Sequence, residues 1–212
     1  MPLHFPPLYA IVDLASVDSE TRIPEVLAEN GAGLIQVRDK HASARALLEA
    51  SKALVARLSP KGVRVIVNDR PDIAAMAGAG GVHVGQDDLP VEAARACCGG
   101  DLWVGVSTHN LEQFRLAAAT SADYISVGPI FPTATKVNPD PVVGLELIRA
   151  ARRLTRKPLV AIGGITVHSA EAVYRAGADS IAVVSDLLSA PKPALKVAEY
   201  IGIANRVLAE RD

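Results

Sequence analysis

Val63-Arg-Val-Ile-Val-Asn68-Asp69-Arg70-Pro71, then a short alanine-rich segment, then Gly81-Val-His-Val-Gly85-Gln86-Asp87-Asp88, is the stretch from which the rest of the chain can be read. Each half is an apolar, β-branched run of strand length that stops abruptly at polar residues. A buried parallel strand reads this way when its carboxyl end opens onto a site. Pro71 suits the first position of a helix, and Gly78-Ala-Gly-Gly81 supplies a stop and a turn before the second strand. The unit is strand, helix, strand, which puts Asp69 and Asp88 at the same ends of two neighbouring strands. Two carboxylates held close together repel unless something positive lies between them. A hard cation such as Mg²⁺, held by one or two carboxylates plus substrate phosphates, meets that need. The competing reading makes Asp87 or Asp88 the cap of the helix that follows.

The same unit recurs along the chain. Eight apolar runs alternate with helix-like segments: 9–12, 34–37, 63–67, 82–84, 102–106, 124–127, 159–162 and 180–184. Asp18 or Ser19, Ser43 and Asn110 are placed to cap helices, Gly144 opens another, and a final helix is expected from Pro191 to about Leu208. A weak internal repeat supports the unit. Gly31-Ala-Gly, Gly78-Ala-Gly, Ser121-Ala-Asp123 and Gly177-Ala-Asp179 each feed a strand. Eight such units predict a single-domain α/β (β/α)₈ TIM barrel over residues 1–212, compact beside the roughly 250 residues usual for that fold. An open doubly wound sheet is the alternative, and no G-x-G-x-x-G follows the first strand to support it.

Composition narrows the partners. Half of the 212 residues are apolar, and the net charge of -1 gives no electrostatic reason to expect nucleic acid or an anionic membrane. Cys97 and Cys98 are adjacent, with no distant cysteine to pair with, and lack metal-site or redox-motif spacing. The N-terminus has no basic region before its short apolar run, and no stretch approaches a membrane span. A cytoplasmic protein acting on small molecules is expected; the sequence assigns no oligomeric state.

In a barrel the residues just after each strand line one face. Alternation after the second strand turns Gln36, Arg38 and Lys40 the same way: an amide, a forked guanidinium and an ammonium, an anion site in miniature. Asn68, Asp69 and Asp88 follow the third and fourth strands. Ser107-Thr108-His109 follows the fifth and could bind a phosphate or a heteroaromatic nitrogen, or cap a helix. Gly128-Pro-Ile-Phe-Pro-Thr133-Ala134-Thr135-Lys136 opens a long loop running to about Val143, a candidate binding loop. Gly163-Gly164 and Val184-Ser185 end the last two strands, where this fold recurrently binds phosphate through backbone amides. Two anion sites on one face follow, suited to one substrate with a diphosphate and another with a phosphate.

The ordered set Leu8-Tyr-Ala-Ile, Gln36-Val-Arg-Asp-Lys40, Asn68-Asp-Arg70, Gly81-Val-His-Val-Gly-Gln-Asp-Asp88, Gly105-Val-Ser-Thr-His109, Gly128 to Lys136 and Ala161-Ile-Gly-Gly-Ile165 resembles thiamine phosphate synthases from about residue 8 to 186. The resemblance implies a Mg²⁺-dependent transferase of thiamine biosynthesis. It would join 4-amino-2-methyl-5-hydroxymethylpyrimidine diphosphate to 4-methyl-5-(2-phosphoethyl)thiazole, or its carboxylated form, releasing diphosphate and giving thiamine phosphate. It assigns the pyrimidine diphosphate to Gln36, Val37, Arg38, Asp39, Lys40, Asn68, Ser107 and Lys136, with Lys136, Ser107 and Arg38 carrying catalysis. The metal falls to Asp69 and Asp88, and the thiazole phosphate to Thr133, Ala134, Thr135, Gly164, Val184 and Ser185. It further implies a dissociative displacement, which needs no protein nucleophile. One departure is Val12, where that pattern would have threonine.

Three rivals remain on the sequence. A thiazole tautomerase of the same ancestry would bind thiazole phosphate but needs neither the cationic set at Gln36, Arg38 and Lys40 nor the aspartate pair. A phosphosugar isomerase or epimerase needs a placed general base, and His83, within a strand, reads better as a packed histidine. A non-catalytic sensor of phosphorylated ligands is the third.

Overall fold

The computed structural model describes residues 5–17, 22–133 and 140–211. Among them, eight parallel strands close into a barrel in chain order: β1 (Leu8–Asp13), β2 (Leu34–Arg38), β3 (Arg64–Asn68), β4 (Gly81–Val84), β5 (Trp103–Thr108), β6 (Tyr124–Val127), β7 (Leu159–Ile162) and β8 (Ser180–Val183). Helices α1 (Ile23–Glu29), α2 (Ala44–Leu58), α3 (Pro71–Ala77), α4 (Val91–Cys98), α5 (Leu111–Ala118), α6 (Gly144–Arg152) and α7 (Val167–Ala176) make the crossovers. A short α8 (Ser185–Leu188) and the long α9 (Pro193–Ala209) follow β8. The open sheet is thereby excluded. Strand β5 outruns its apolar stretch, because Ser107 and Thr108 continue the ladder against Ser126 and Val127; a polar side chain does not weaken a backbone pairing.

Local chemistry starts and stops the helices much as the sequence suggests. Ser43 Oγ accepts from Ala46 N–H at 3.2 Å, Asn110 Oδ1 accepts from Gln113 N–H at 2.9 Å, and Pro71 occupies the first turn of α3. The proposed caps Asp18 and Ser19 lie outside the described residues. Asp88 does not cap α4: Pro90 stands at that N-cap, and Asp88 Oδ2 turns back to accept from Gly85 N–H at 2.7 Å.

The side chains divide into two cores. Outward-facing strand residues and the inner helix faces form the larger, which includes Val12 and Val37 and so takes Val12 away from any site. Inside the barrel, Tyr9, Ile11, Leu34, Ile66, Tyr124, Val160 and Ala182 pack together, closed at the amino end by Phe5 stacked on Trp103, with ring centroids 5.4 Å apart. Gly105 is what lets the Tyr124 ring cross the interior: a Cβ there would stand 2.0 Å from Tyr124 Cζ.

The internal repeat has a physical meaning at the amino-terminal face. Asp123 Oδ2 accepts from Val104 N–H at 2.7 Å and pairs with Arg95 of α4. Asp179 Oδ2 accepts from Leu159 N–H at 2.8 Å and pairs with Arg152 of α6 at 2.6 Å. In both, an aspartate just before one strand ties down the start of the preceding strand and the helix that leads into that preceding strand. Helix α9 lies along the side of the barrel against α1 and α7, where Tyr200 donates to Asp186 at 2.6 Å. Among the described residues, no helix is long and apolar enough to cross a membrane.

Candidate active site

A cavity of about 510 Å³ opens at the carboxyl ends of the strands, within the range of small-molecule sites. Inward alternation fills its first side. Register pairs Asp13 of β1 with Arg38 of β2, and Gln36, Arg38 and Lys40 all line the cavity, as their i, i+2 spacing predicts. Arg38 forms an ion pair with Asp13, while Lys40 Nζ lies 3.8 Å from Asp69 Oδ2. Of the residues between them, Val37 points outward into the helix-facing core, and the Asp39 carboxylate accepts from the backbone of His41 and Ala42 at 2.8 and 2.9 Å. Neither side chain reaches the cavity, because alternation gives every second residue to the other face. A ligand would meet these two through backbone only.

Asn68, Asp69 and Asp88 line the same side. Asp69 is the non-glycine residue with positive φ, +61°, among those described, a left-handed turn that aims its side chain back over the barrel mouth. Burial, and then a hydrogen bond and charge repulsion from the Asp88 carboxylate, push the Asp69 carboxyl up to about 6; Lys40 and Arg38 oppose the shift. Lys40 and Arg38 thus do not offset burial and the neighbouring carboxylate. Among the described residues no group of three His, Cys, Asp or Glu gathers, so a cation here would draw its other ligands from substrate oxygens and water.

Beneath the cavity runs a chain of buried polar groups. Gln36 Nε2 donates to Tyr9 Oη at 2.7 Å, and Tyr9 Oη lies 3.1 Å from Tyr124 Oη. Tyr124 Oη lies 3.0 Å from His83 Nδ1, His83 Nε2 2.8 Å from Ser107 Oγ, and Ser107 Oγ 3.3 Å from Ser126 Oγ. Burial raises both tyrosine hydroxyls well above their usual range and lowers His83 to about 4, so all three are neutral near pH 7. His83 is therefore a packed histidine with both nitrogens bonded. Ser107 bonds His83 and leaves the capping of α5 to Asn110.

Gly164, Val184, Ser185 and Thr133 line the opposite side of the cavity. The loop after β6 is stitched to β7 at its base: Ile130 N–H donates to Ile162 O at 2.9 Å and Phe131 N–H to Gly163 O at 3.0 Å. Gly164 has φ +62°, and a Cβ there would stand 2.3 Å from Pro132 O. This close approach explains the Gly-Gly pair better than a tight turn alone. Ala134, Thr135 and Lys136 lie outside the described residues.

Among the cavity residues that the sequence reading did not name as site residues are Asp13, His109 and Asp140. Asp13 directly follows the first apolar run, and the alternation Tyr9, Ile11, Asp13 places it inward. His109 Nδ1 sits 2.7 Å from Gly128 O and its Nε2 3.6 Å from Asp140 Oδ2, bridging the end of β5 to both ends of the long loop. Asp140, on a proline-flanked loop, carried no signal.

The chain matches the family model described as "Thiamine monophosphate synthase" over residues 8–187. A thiamine-phosphate synthase of Koribacter versatilis (strain Ellin345) is 47% identical over 207 residues, covering 95% of this chain and 97% of that protein. One of Chloroflexus aurantiacus is 45% identical over 185 residues, covering 86% and 85%. Among solved structures, a thiamine phosphate pyrophosphorylase from Pyrococcus furiosus superposes with a TM-score of 0.87 at 33% identity, over 96% of this chain and 97% of that one. A chain that matches this family model from the first strand of its barrel to the last, and is 47% identical to a thiamine-phosphate synthase over nearly all of both chains, belongs to the thiamine monophosphate synthase family.

Proposed function

We propose that residues 1–212, acting as one barrel domain, synthesise thiamine phosphate from hydroxymethylpyrimidine diphosphate and thiazole phosphate in the cytoplasm. The observation that carries the reading is the division of one cavity into a cationic, carboxylate-bearing side at Gln36, Arg38, Lys40, Asn68, Asp69 and Asp88 and a side at Thr133, Gly164, Val184 and Ser185 where backbone is approached closely. A diphosphate fits the first and a phosphate the second. Small phosphorylated molecules are the partners in this reading.

The Asp69 and Asp88 carboxyls, close enough to hydrogen-bond each other, fit a hard divalent cation better than two bare charges, and would hold Mg²⁺ together with diphosphate oxygens. Bound there, Mg²⁺ would neutralise charge on the diphosphate. The protein's own part is to bind and orient. Arg38 and Lys40 face the leaving diphosphate, with Lys136 assigned to the same task by the sequence resemblance. The pyrimidine methylene carbon–oxygen bond breaks with its electron pair going to diphosphate. The thiazole nitrogen then donates its lone pair to the resulting cation, forming the carbon–nitrogen bond. Ser107 and Gln36 hold the pyrimidine, and the Gly164 and Ser185 side holds the thiazole phosphate so that its nitrogen faces that carbon.

The test is thiamine phosphate formation by purified protein from the two substrates, with Mg²⁺ and with a chelator. Product that requires metal is the expected result. No product in a folded sample that still binds thiazole phosphate would turn the assignment towards a tautomerase or a sensor.

A further inference from the structure

The buried chain beneath the cavity has a direction. Gln36 Nε2 can only donate, so Tyr9 Oη accepts it; for every buried hydroxyl proton in the chain to have a partner, Tyr9 must then give its own to Tyr124. Tyr124, having accepted, donates to His83 Nδ1. An imidazole enclosed by two hydroxyls, with no carboxylate hydrogen-bonded to it, is neutral, for an unpaired buried cation is costly. A neutral ring accepting at Nδ1 carries its proton on Nε2, which donates to Ser107 Oγ. The Ser107 proton is then left for Ser126, 3.3 Å away, or for a ligand. With Nε2 spent on Tyr9, the Gln36 carbonyl oxygen is left as the acceptor at the other end. Turning any one member round would oblige every other to turn.

We infer that Tyr9, Tyr124 and His83 form a positioning relay that couples Gln36 to Ser107, fixing one as acceptor and the other as donor toward the heteroaromatic ring in the cavity. The inference rests on the proposed function for the identity of that ring. An aminopyrimidine offers an exocyclic N–H donor and ring-nitrogen acceptors, which this polarity matches. The corresponding pyrimidinone, with oxo for amino and a protonated ring nitrogen, offers the reverse. The relay therefore makes the protein choose amino over oxo by hydrogen-bond direction, since the two substituents are nearly equal in size. Discrimination of this kind is strong where the mismatched ligand leaves buried polar groups unpaired.

Two measurements test it. Nitrogen NMR of the wild-type protein with labelled histidine, the His83 signals being those lost in His83→Asn, should show a neutral ring protonated at Nε2 with a pyridine-like Nδ1. Should His83→Asn fail to fold, the ring whose Nδ1 shifts in Tyr124→Phe identifies it. Tyr124→Phe cuts the chain while keeping the ring. It should raise KM for the pyrimidine diphosphate roughly tenfold, lower the preference for the amino over the oxo substrate by a similar factor, and leave KM for thiazole phosphate unchanged. Tyr9→Phe should do the same. A proton on Nδ1, a charged ring at pH 7, or a variant in which the amino preference stays at the wild-type value overturns the relay. Failure of the wild-type protein to make thiamine phosphate would overturn the proposed function instead, and the tautomer measurement would still decide the direction of the chain.

Discussion

Replacing Gly105 by alanine should destabilise the barrel by several kcal/mol for a purely steric reason. Gly105 is not among the positive-φ glycines, so alanine can adopt its backbone. The added Cβ, however, would lie 2.0 Å from Tyr124 Cζ and 2.4 Å from both Cε2 and Oη. Tyr124 is fully buried, with the Phe5 and His83 rings at 5.0 and 5.4 Å, and cannot swing aside without repacking the interior. Overpacking of this kind costs about 1–3 kcal/mol. Displacing the hydroxyl also breaks its bonds to Tyr9 and His83, at roughly 1 kcal/mol each. The sum is about 4 kcal/mol, on the order of 10 °C in Tm for a chain this long. Urea unfolding monitored by circular dichroism gives the number. In Gly105→Ala/Tyr124→Leu the clashing atoms are absent, so the double variant should lose at least about 1 kcal/mol less than the two single changes added together. An unfolding midpoint for Gly105→Ala equal to wild type, or simple additivity in the double variant, would refute the reasoning.

Asp69→Asn keeps a residue tolerant of left-handed backbone, so turnover should fall about 100-fold or more with little change in Tm; a wild-type rate at saturating Mg²⁺ would remove Asp69 from the metal role. Gly164→Ala combines φ +62° with a Cβ 2.3 Å from Pro132 O, and should cost about 2 kcal/mol and raise KM for thiazole phosphate; unchanged KM would take the phosphate elsewhere. Gly202→Ala, inside α9 with nothing within 4 Å of the new Cβ, should stabilise by about 1 kcal/mol in thermal melts. For pH, His83 is lowered from 6.5 to about 4, so the unfolded chain takes up that proton first and stability falls by roughly 3 kcal/mol as pH drops through this window. Asp69 is raised from 3.8 to about 6, so the folded chain takes up its proton first and stability rises over nearly the same window. The two oppose, and in chelator Asp69→Asn should lose stability between pH 6.5 and 4 more steeply than wild type; parallel profiles in urea titrations would contradict the assignment.

The fold was legible because its signals are local. Continuous apolar runs such as Val65–Val67 and Leu159–Ile162, each bounded by turn residues, need no knowledge of their neighbours to be read as buried parallel strands. The repeat Ser121-Ala-Asp123 and Gly177-Ala-Asp179 added the unit that recurs, though its use could not be read. What the aspartates do, tying down the preceding strand and a helix through Arg95 and Arg152, joins positions 19 to 28 residues apart in the sequence. Strand ends slipped by a residue or two where, as at Ser107 and Thr108, hydrogen bonding continued past the apolar side chains.

The site divides along the same line. Residues that are chemically conspicuous and sit just after a strand, such as Arg38, Asp69 and Asp88, were found because position alone predicts that they face the opening. Asp13 was missed because its meaning comes from register: it matters through pairing opposite Arg38, and β1 and β2 had first to be laid side by side. The relay was hidden more deeply. Tyr9, His83 and Tyr124 each read as strand residues of no special chemistry, and their buried side chains agree with that. Only the closed barrel brings three strands' inward residues within about 3 Å of one another, 41 and 115 positions apart in sequence. Gly105 belongs to the same arrangement, since without a bare position on β5 the Tyr124 hydroxyl could not reach between Tyr9 and His83. Gly105 is therefore the residue on which the continuity of the polar chain depends, and Gly105→Ala should disturb pyrimidine binding as well as stability.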